Sequence, residues 1–365
     1  MLTESDIRNR QVDFESRFGR GGPVDIFFAP GRVNLIGEHT DYNGGLVLPF
    51  AIEQGTYLMI RRTELAPSRL YSENLRMEAR INNFDIRKQG DWADYVRGVL
   101  LYAEEKCGNI LSFDALYFGD LPLESGLSSS ASIELVTAYG LSSLGCCLSK
   151  EEAVMAGRWS ENNFVGVSCG VMDQFTVAFG MKGHALLLNC DTMDYRPVKC
   201  NLKDSVLVVG HTGVRRTLSG SEYNLRRNEC GEALRLLEGK LGPLGTLSAV
   251  SVNEFEKVRG SLPENLAKRA EHVVYENLRV EEASRCLEDG DLETLGHLMN
   301  RSHESLRDLY EVSSPELDAL QEISLDLPGV WGSRMTGAGF GGCVLTLMKS
   351  SALERYLRKV PGLYW

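Results

Sequence analysis

The stretch Ala29-Pro30-Gly31-Arg32-Val33-Asn34-Leu35-Ile36-Gly37-Glu38-His39-Thr40-Asp41-Tyr42-Asn43-Gly44-Gly45 constrains this chain more than any other, because it joins two strand-like runs, 24–29 and 46–52. Four glycines, an Arg, a Glu, a His and an Asp lie between elements that should be buried. Such charges are costly to bury unless they face a polar ligand or one another. A salt-bridged turn in which Arg32 pairs with Glu38 or Asp41 would explain any one of them. A loop that holds a polyhydroxylated ligand such as a sugar explains all of them together.

A second segment, Leu121-Pro122-Leu123-Glu124-Ser125-Gly126-Leu127-Ser128-Ser129-Ser130-Ala131-Ser132, opens into an apolar pattern at Ile133, Leu135, Val136, Tyr139 and Leu141. A Gly/Ser loop running into a helix puts backbone N–H groups and hydroxyls at the positive end of the helix dipole, which suits a phosphate. A plain N-cap with spare serines is the alternative. Neither G-x-x-x-x-G-K-[ST] nor the H-R-D and D-F-G pair occurs, so phosphate binding would rest on this serine loop.

A third segment, Arg334-Met335-Thr336-Gly337-Ala338-Gly339-Phe340-Gly341-Gly342-Cys343, formally matches the dinucleotide pattern G-x-G-x-x-G. That pattern needs a helix after it, whereas 343–348 reads as a strand. The expectation is a loop that brings its backbone close to a ligand, or one in which the glycines only allow a tight turn. A fourth stretch, 166–175, sets Asp173 in apolar surroundings, where the carboxylate needs a partner; capping or bonding of local backbone is its common fate.

The first half mixes strand-like runs with helical spacing at Trp92, Tyr95, Val96, Val99 and Leu100. Ser149 with Glu152 forms a capping box that predicts a helix from about Lys150 to about Asn163. Beyond Ser221 the chain becomes mainly helical, with amphipathic stretches at 222–238, 265–288 and 292–310. Two domains are expected, 1–200 and 201–365. The 50 acidic and 39 basic residues give a net charge of −11, which disfavours nucleic acid and anionic membranes as partners. With no basic run before an apolar core at the N-terminus and no membrane-length apolar run, a cytoplasmic protein is expected. Nine cysteines without Cys-x-x-Cys spacing predict reduced thiols and no zinc site.

Taken together, these segments resemble the three motifs of the GHMP kinase superfamily, and GRVNLIGEHTDYNGG is similar to the signature of galactokinases within it. The match keeps consistent order from about Phe28 to about Met348 and includes CGVMDQF and SGSEYNLRR. The resemblance implies an α+β, two-domain fold: a ribosomal-protein-like α/β N-terminal half, a ferredoxin-like α+β C-terminal half, and an active site in the cleft. It implies phosphorylation of galactose by ATP at the anomeric hydroxyl. Glu38, His39, Asp41, Gly170, Asp173 and Tyr223 then match the sugar pocket. Asp173 takes the place of a base or orienting carboxylate, and Arg32 that of a cation beside it and the transferring phosphoryl group. Gly126, Leu127, Ser128, Ser129 and Ser130 match the phosphate cradle, Trp92 the adenine pocket, and Ser130 with Glu161 the Mg²⁺ ligands. Galactose and ATP are the expected partners of a monomer.

Departures from the family pattern are Glu124-Ser125 in place of small residues, Asp94 in place of Asn, and His211-Thr212-Gly213 before Tyr223. The chain also ends at Trp365, where relatives continue through a further helix and strand after the third motif. Two other functions fit the same motifs: a related GHMP kinase acting on N-acetylgalactosamine or arabinose, and a ligand sensor. The GEHTDY run favours galactose over the first. The undeleted serine motif, with Arg32 and Asp173 present, favours catalysis over the second.

Overall fold

The computed structural model describes residues 4–82, 85–108, 110–121, 126–213, 219–360 and 363–364. In chain order, α1 (Glu4–Phe18) is followed by β1 (Asp25–Asn34), β2 (Leu46–Val47), β3 (Pro49–Arg62), β4 (Ser68–Ser72) and β5 (Met77–Ile81). Then come α2 (Asp94–Cys107), β6 (Phe113–Gly119), α3 (Ser129–Gly140), α4 (Lys150–Trp159) and α5 (Met172–Phe179). Strands β7 (His184–Asn189), β8 (Tyr195–Lys199) and β9 (Ser205–His211) precede α6 (Ser219–Leu241), α7 (Val252–Val258), α8 (Glu264–Asp289), α9 (Leu292–Asp308) and α10 (Pro315–Leu325). The chain closes with β10 (Val330–Thr336), β11 (Cys343–Lys349), α11 (Leu353–Lys359) and β12 (Leu363–Tyr364).

These elements pack as two units. One comprises Met1–Arg32, Ala51–Pro122 and Ser128–Phe179, the other Val33–Phe50, Leu123–Leu127 and Gly180–Trp365. The division falls after Phe179 rather than near residue 200, because β2 pairs with β7, and β7 with β8, in a three-stranded sheet. That pairing carries the polar loop after Arg32 into the second unit.

In the first unit a five-stranded sheet runs β1-β3-β6-β4-β5, with β6 antiparallel to β3 and parallel to β4. Phe14 of α1 packs with Met59, Leu116 and Phe118 of the sheet. Helices α2, α3, α4 and α5 pack on one another. Val96, Val99 and Leu100, the helical triplet read in the sequence, are buried on α2, although Trp92 precedes the helix. The capping box at Ser149 and Glu152 is formed, and α4 gives way at Ser160–Val165 to a π turn. One expectation is corrected: Cys107 and Cys146 form a disulfide, with Cα atoms 5.5 Å apart. They are 39 residues apart in sequence, and only the approach of the end of α2 to the turn after α3 brings them together.

In the second unit β10, β11, β9 and β12 form an antiparallel sheet backed by long helices. After the third motif the chain continues through β11, α11 and β12. Among the described residues no helix is long and apolar enough to cross a membrane.

Behind the polar loop this unit buries an unusual set of ionisable side chains. Glu276 is fully buried; its Oε1 accepts from the Gly37 N–H at 3.0 Å and the Ser302 hydroxyl at 2.5 Å, and its Oε2 from Arg279 Nε at 2.6 Å. His272 donates from Nε2 to the Glu38 carbonyl at 3.0 Å. His303 donates from Nε2 to Asp318 at 3.1 Å and accepts at Nδ1 from the Met335 N–H. Burial, reinforced by the Arg334 charge, pushes both imidazoles down to about 4, against the pull of Glu276 on one and Asp318 on the other.

The sign of the resulting pH dependence follows. Each histidine is neutral when folded and gains a proton on unfolding below about 6.5, so the unfolded state binds more protons across that window. Stability is therefore full above pH 6.5 and falls as the pH drops toward 4, by up to about 3 kcal/mol per histidine. Urea midpoints at pH 7.0, 5.5 and 4.5 should fall in that order. A flat series would mean that the two histidines do not stay neutral in the fold.

Candidate active site

In the first unit the end of β1, the start of α3 and the start of α5 bring three side chains together. Arg32, only 5% exposed, donates from Nε to Asp173 Oδ1 at 2.7 Å and from Nη2 to Asp173 Oδ2 at 2.6 Å. This two-pronged geometry fixes the plane of the carboxylate as well as its charge. The Ser128 hydroxyl donates to Asp173 Oδ2. The acid that stood alone in the sequence thus has a cation 141 residues away as its partner, and its role is not local capping. Gly170, buried, lies three residues before it.

Glu161 sits in the π turn, 6% exposed. Burial raises its carboxyl, bonds from Cys169 and Ser130 oppose that, and the Asp173 charge raises it again. The Ser130 side chain therefore lies within hydrogen-bond reach of Glu161. Glu134, unremarked in the sequence, is fully buried one turn further along α3; Gln174 Nε2 donates to its Oε2 at 3.0 Å, and its Oε1 has no partner. Burial and the Glu161 charge raise its carboxyl well above the usual range. A polar residue amid Ile133, Leu135 and Val136 was the available signal. Glu134, Glu161 and Asp173 thus lie close enough for the charge of one to raise the carboxyl of another, and Arg32 pairs with Asp173.

Ser129 and Ser130 form the first turn of α3, which carries no acidic residue, so its N–H groups face no competing negative side chain within that turn. Gly126 has φ 78° and Leu127 is buried. Glu124 and Ser125 lie outside the described residues. Trp92 meets the Tyr117 ring edge-on at 5.5 Å, and its buried indole N–H has no partner. Asp94 is spoken for: it accepts from the Gln89 and Gly90 N–H groups and pairs with Arg97 at 2.8 Å. Burial works against its charge, but these donors outweigh it and lower its carboxyl.

In the second unit the loop after Arg32 is held by its own charges. Glu38, 2% exposed, accepts at Oε1 from the Gly337 N–H at 2.8 Å and the Thr336 hydroxyl at 2.9 Å, and at Oε2 from Asn34 Nδ2 at 2.8 Å. Arg334 Nη1 lies 3.5 Å from Oε1 and donates to the Leu35 carbonyl. Gly37, at φ 100°, is required because a Cβ would meet the Leu46 carbonyl at 2.7 Å and Val47 Cα at 2.9 Å.

His39, at φ 63°, donates from Nε2 to the Ala338 carbonyl at 3.1 Å. In the neutral ring, Nδ1 then accepts from the Tyr42 hydroxyl at 2.8 Å. Tyr42 is bonded to Tyr310, and Tyr310 to Cys230. Tyr223 packs against the His39 ring at 5.7 Å and edge-on to Tyr42 at 5.3 Å. Asp41 opens a 3₁₀ turn, Asp41–Asn43, ended by Gly44 at φ 72°.

The third motif is a hairpin loop: β10 leads in and the antiparallel strand β11 leads out, with no helix. The dinucleotide reading is thereby excluded. Thr212 bonds the Gly342 carbonyl through both its N–H and its hydroxyl, so the divergent His211-Thr212-Gly213 segment fastens this loop.

Residues 13–62 match the Galactokinase galactose-binding signature, 94–181 the GHMP kinases N terminal domain and 283–364 the GHMP kinases C terminal. The galactokinase of Bacillus subtilis is 42% identical over 360 residues, covering 96% of this chain and 92% of that protein. The chain belongs to the galactokinase family. A second galactokinase, from Fusobacterium nucleatum, is 42% identical across 98% of this chain and 94% of its own length. The structure of Lactococcus lactis galactokinase complexed with galactose superimposes with a TM-score of 0.94 at 37% identity, covering 98% of this chain and 97% of that one. At the level of fold alone, Methanococcus jannaschii mevalonate kinase matches with a TM-score of 0.70 at 21% identity, over 95% and 98% of the two chains.

Proposed function

We propose that this protein transfers the γ-phosphoryl group of ATP to the anomeric hydroxyl of galactose, giving galactose 1-phosphate and ADP. The observation that carries this reading is near-full-length similarity to a galactokinase solved with galactose, in a chain whose Arg32 and Asp173 form a two-pronged pair.

Asp173 receives the hydrogen of the anomeric hydroxyl and aligns its oxygen for attack on the γ-phosphorus. As the new O–P bond forms, the bond to the departing ADP oxygen breaks and the proton passes to the carboxylate. Arg32 keeps that carboxylate in one orientation and offsets charge on the phosphoryl oxygens. Asp41, Tyr223 and Gly170 take sugar hydroxyls, Glu38 shapes the loop and can accept a hydroxyl at Oε2, and His39 takes a sugar hydroxyl by exchanging its bond to Tyr42 or Ala338. The serine loop, through Gly126, Leu127, Ser129 and Ser130 with the N–H of Ser128, holds the phosphates, and Trp92 borders the adenine. The oxygen-rich set Glu161, Ser130 and Glu134 fits a hard dication. Mg²⁺ held by Glu161 and Ser130 would neutralise the triphosphate.

The test is ADP release with Mg²⁺ and ATP across galactose, glucose, N-acetylgalactosamine, arabinose and mevalonate. Galactose should be turned over far faster than the other four. Faster turnover of another acceptor would overturn the sugar assignment, and no turnover by a folded, ATP-binding chain would replace catalysis with ligand sensing.

A further inference from the structure

The N-cap serine of α3 does not do what an N-cap serine does. Such a hydroxyl ordinarily accepts a hydrogen bond from the second or third N–H of its helix. Ser128 makes no side-chain cap bond, and its backbone is in the left-handed region at φ 59°, ψ 49°, a conformation that favours glycine. It is 6% exposed, and its hydroxyl is turned onto Asp173 Oδ2. The fold thus holds a non-glycine residue in an uncommon backbone state and forgoes a cap, and the side chain so directed meets one acceptor.

A hydroxyl has one proton to give. A carboxylate and a phosphate oxygen are both acceptors, so a Ser128 hydroxyl that donates to Asp173 has no proton left for a nucleotide phosphate. Together with the two Arg32 bonds, this makes three donors on the Asp173 carboxylate: one on Oδ1 and two on Oδ2. They come from β1 and from the start of α3, whereas Asp173 itself stands on α5. With Oδ2 doubly occupied, Oδ1 is the oxygen with room to accept from a substrate hydroxyl.

We propose that the Ser128 side chain is a positioning residue for Asp173 rather than a phosphate ligand. It locks the carboxylate against rotation and reserves Oδ1 for the anomeric hydroxyl; the phosphates are left to the backbone N–H groups of the loop and to Ser129 and Ser130. This rests on the assignment of Asp173 to the acceptor hydroxyl.

The experiment is Ser128→Gly, which removes the hydroxyl and suits the backbone angle, made in the wild-type chain and in Asp173→Asn. In the wild-type chain kcat should fall about tenfold or more, the scale for losing a bond to a charged group, with KM for ATP within about twofold of the starting value. In the Asp173→Asn chain the same change should lower kcat by less than about twofold, because the group it acts through is gone. A raised KM for ATP with kcat kept would overturn the proposal in favour of a phosphate contact, and so would an equal loss of kcat in both backgrounds or no loss in either. Thermal melts and direct ATP titration of each variant identify any loss due to misfolding; if Ser128→Gly melts early, Ser128→Ala, which also removes the donor and keeps a Cβ, replaces it under the same criteria. Near-normal turnover by Asp173→Asn would instead remove the assignment of Asp173 itself, an outcome read without reference to Ser128.

Discussion

Asp173→Asn is expected to lower kcat for galactose phosphorylation at least about a hundredfold while the protein stays folded. The substitution keeps the size of the side chain and one oxygen for Arg32, so the geometry around β1 and α5 should persist. It removes the negative charge and the only proton acceptor among the three side chains that meet there. The substituted amide can accept a hydrogen bond from the acceptor hydroxyl but cannot take its proton as the bond to phosphorus forms. Some stability should be lost too, because Arg32 is nearly buried and would face a neutral partner; the cost is about 1 to 3 kcal/mol, seen as a modest fall in Tm. Arg32→Ala should produce a kinetic loss of at least the same order, with the carboxylate left free to turn. The measurement is steady-state kinetics on folded, purified variants. If Asp173→Asn turned over galactose at near-normal rate, the carboxylate would have no part in the chemical step.

Glu276→Ala should be the most destabilising single change among the charged residues behind the polar loop. The carboxylate is fully buried, and burial alone would raise it; the charges of Arg279 and Arg334, with the Ser302 hydroxyl, help bring it down to about 2. Truncation leaves Arg279, 7% exposed, as an uncompensated buried cation and deprives the Gly37 N–H of its acceptor. Breaking a buried pair from one side costs about 3–5 kcal/mol, a large part of the 5–15 kcal/mol that usually holds a folded protein together. Because Gly37 belongs to the same loop as Glu38 and His39, the folded fraction should also bind galactose more weakly, with KM for galactose raised more than KM for ATP. Urea unfolding at pH 7 gives the stability change. A loss below about 1 kcal/mol would show that the network relaxes around the gap and that the pair adds little.

How much of this could be read in the chain depends on the range of the interactions involved. The capping box at Ser149 and Glu152, the helical burial of Val96, Val99 and Leu100, and the strand after the third glycine loop were all legible, because each depends on neighbours within a few residues or on a repeat that one helix or strand imposes. The chemistry-bearing loops were legible for a related reason: glycines, hydroxyls and charges crowded between apolar elements have few uses other than holding something polar. The resemblance then named the roles, including that of Arg32 beside Asp173.

What the sequence did not contain in readable form was partnership across distance. No spacing rule turns the Ser128 hydroxyl away from its own helix and onto a carboxylate 45 residues later. None marks Glu134 as a buried acid bonded to Gln174, or joins Cys107 to Cys146. The same holds for the division of the chain, since the polar loop joins the second unit through the pairing of the two-residue strand β2 with β7 and through distant partners such as Glu276 and Gly337. Residue order by itself determined which segments would be helices, strands and polar glycine-rich loops, since backbone geometry and hydrophobic period are local. Tertiary structure alone decided which polar group each buried donor and acceptor would meet, because that choice is made when distant elements pack and every buried hydrogen-bonding group must find a partner.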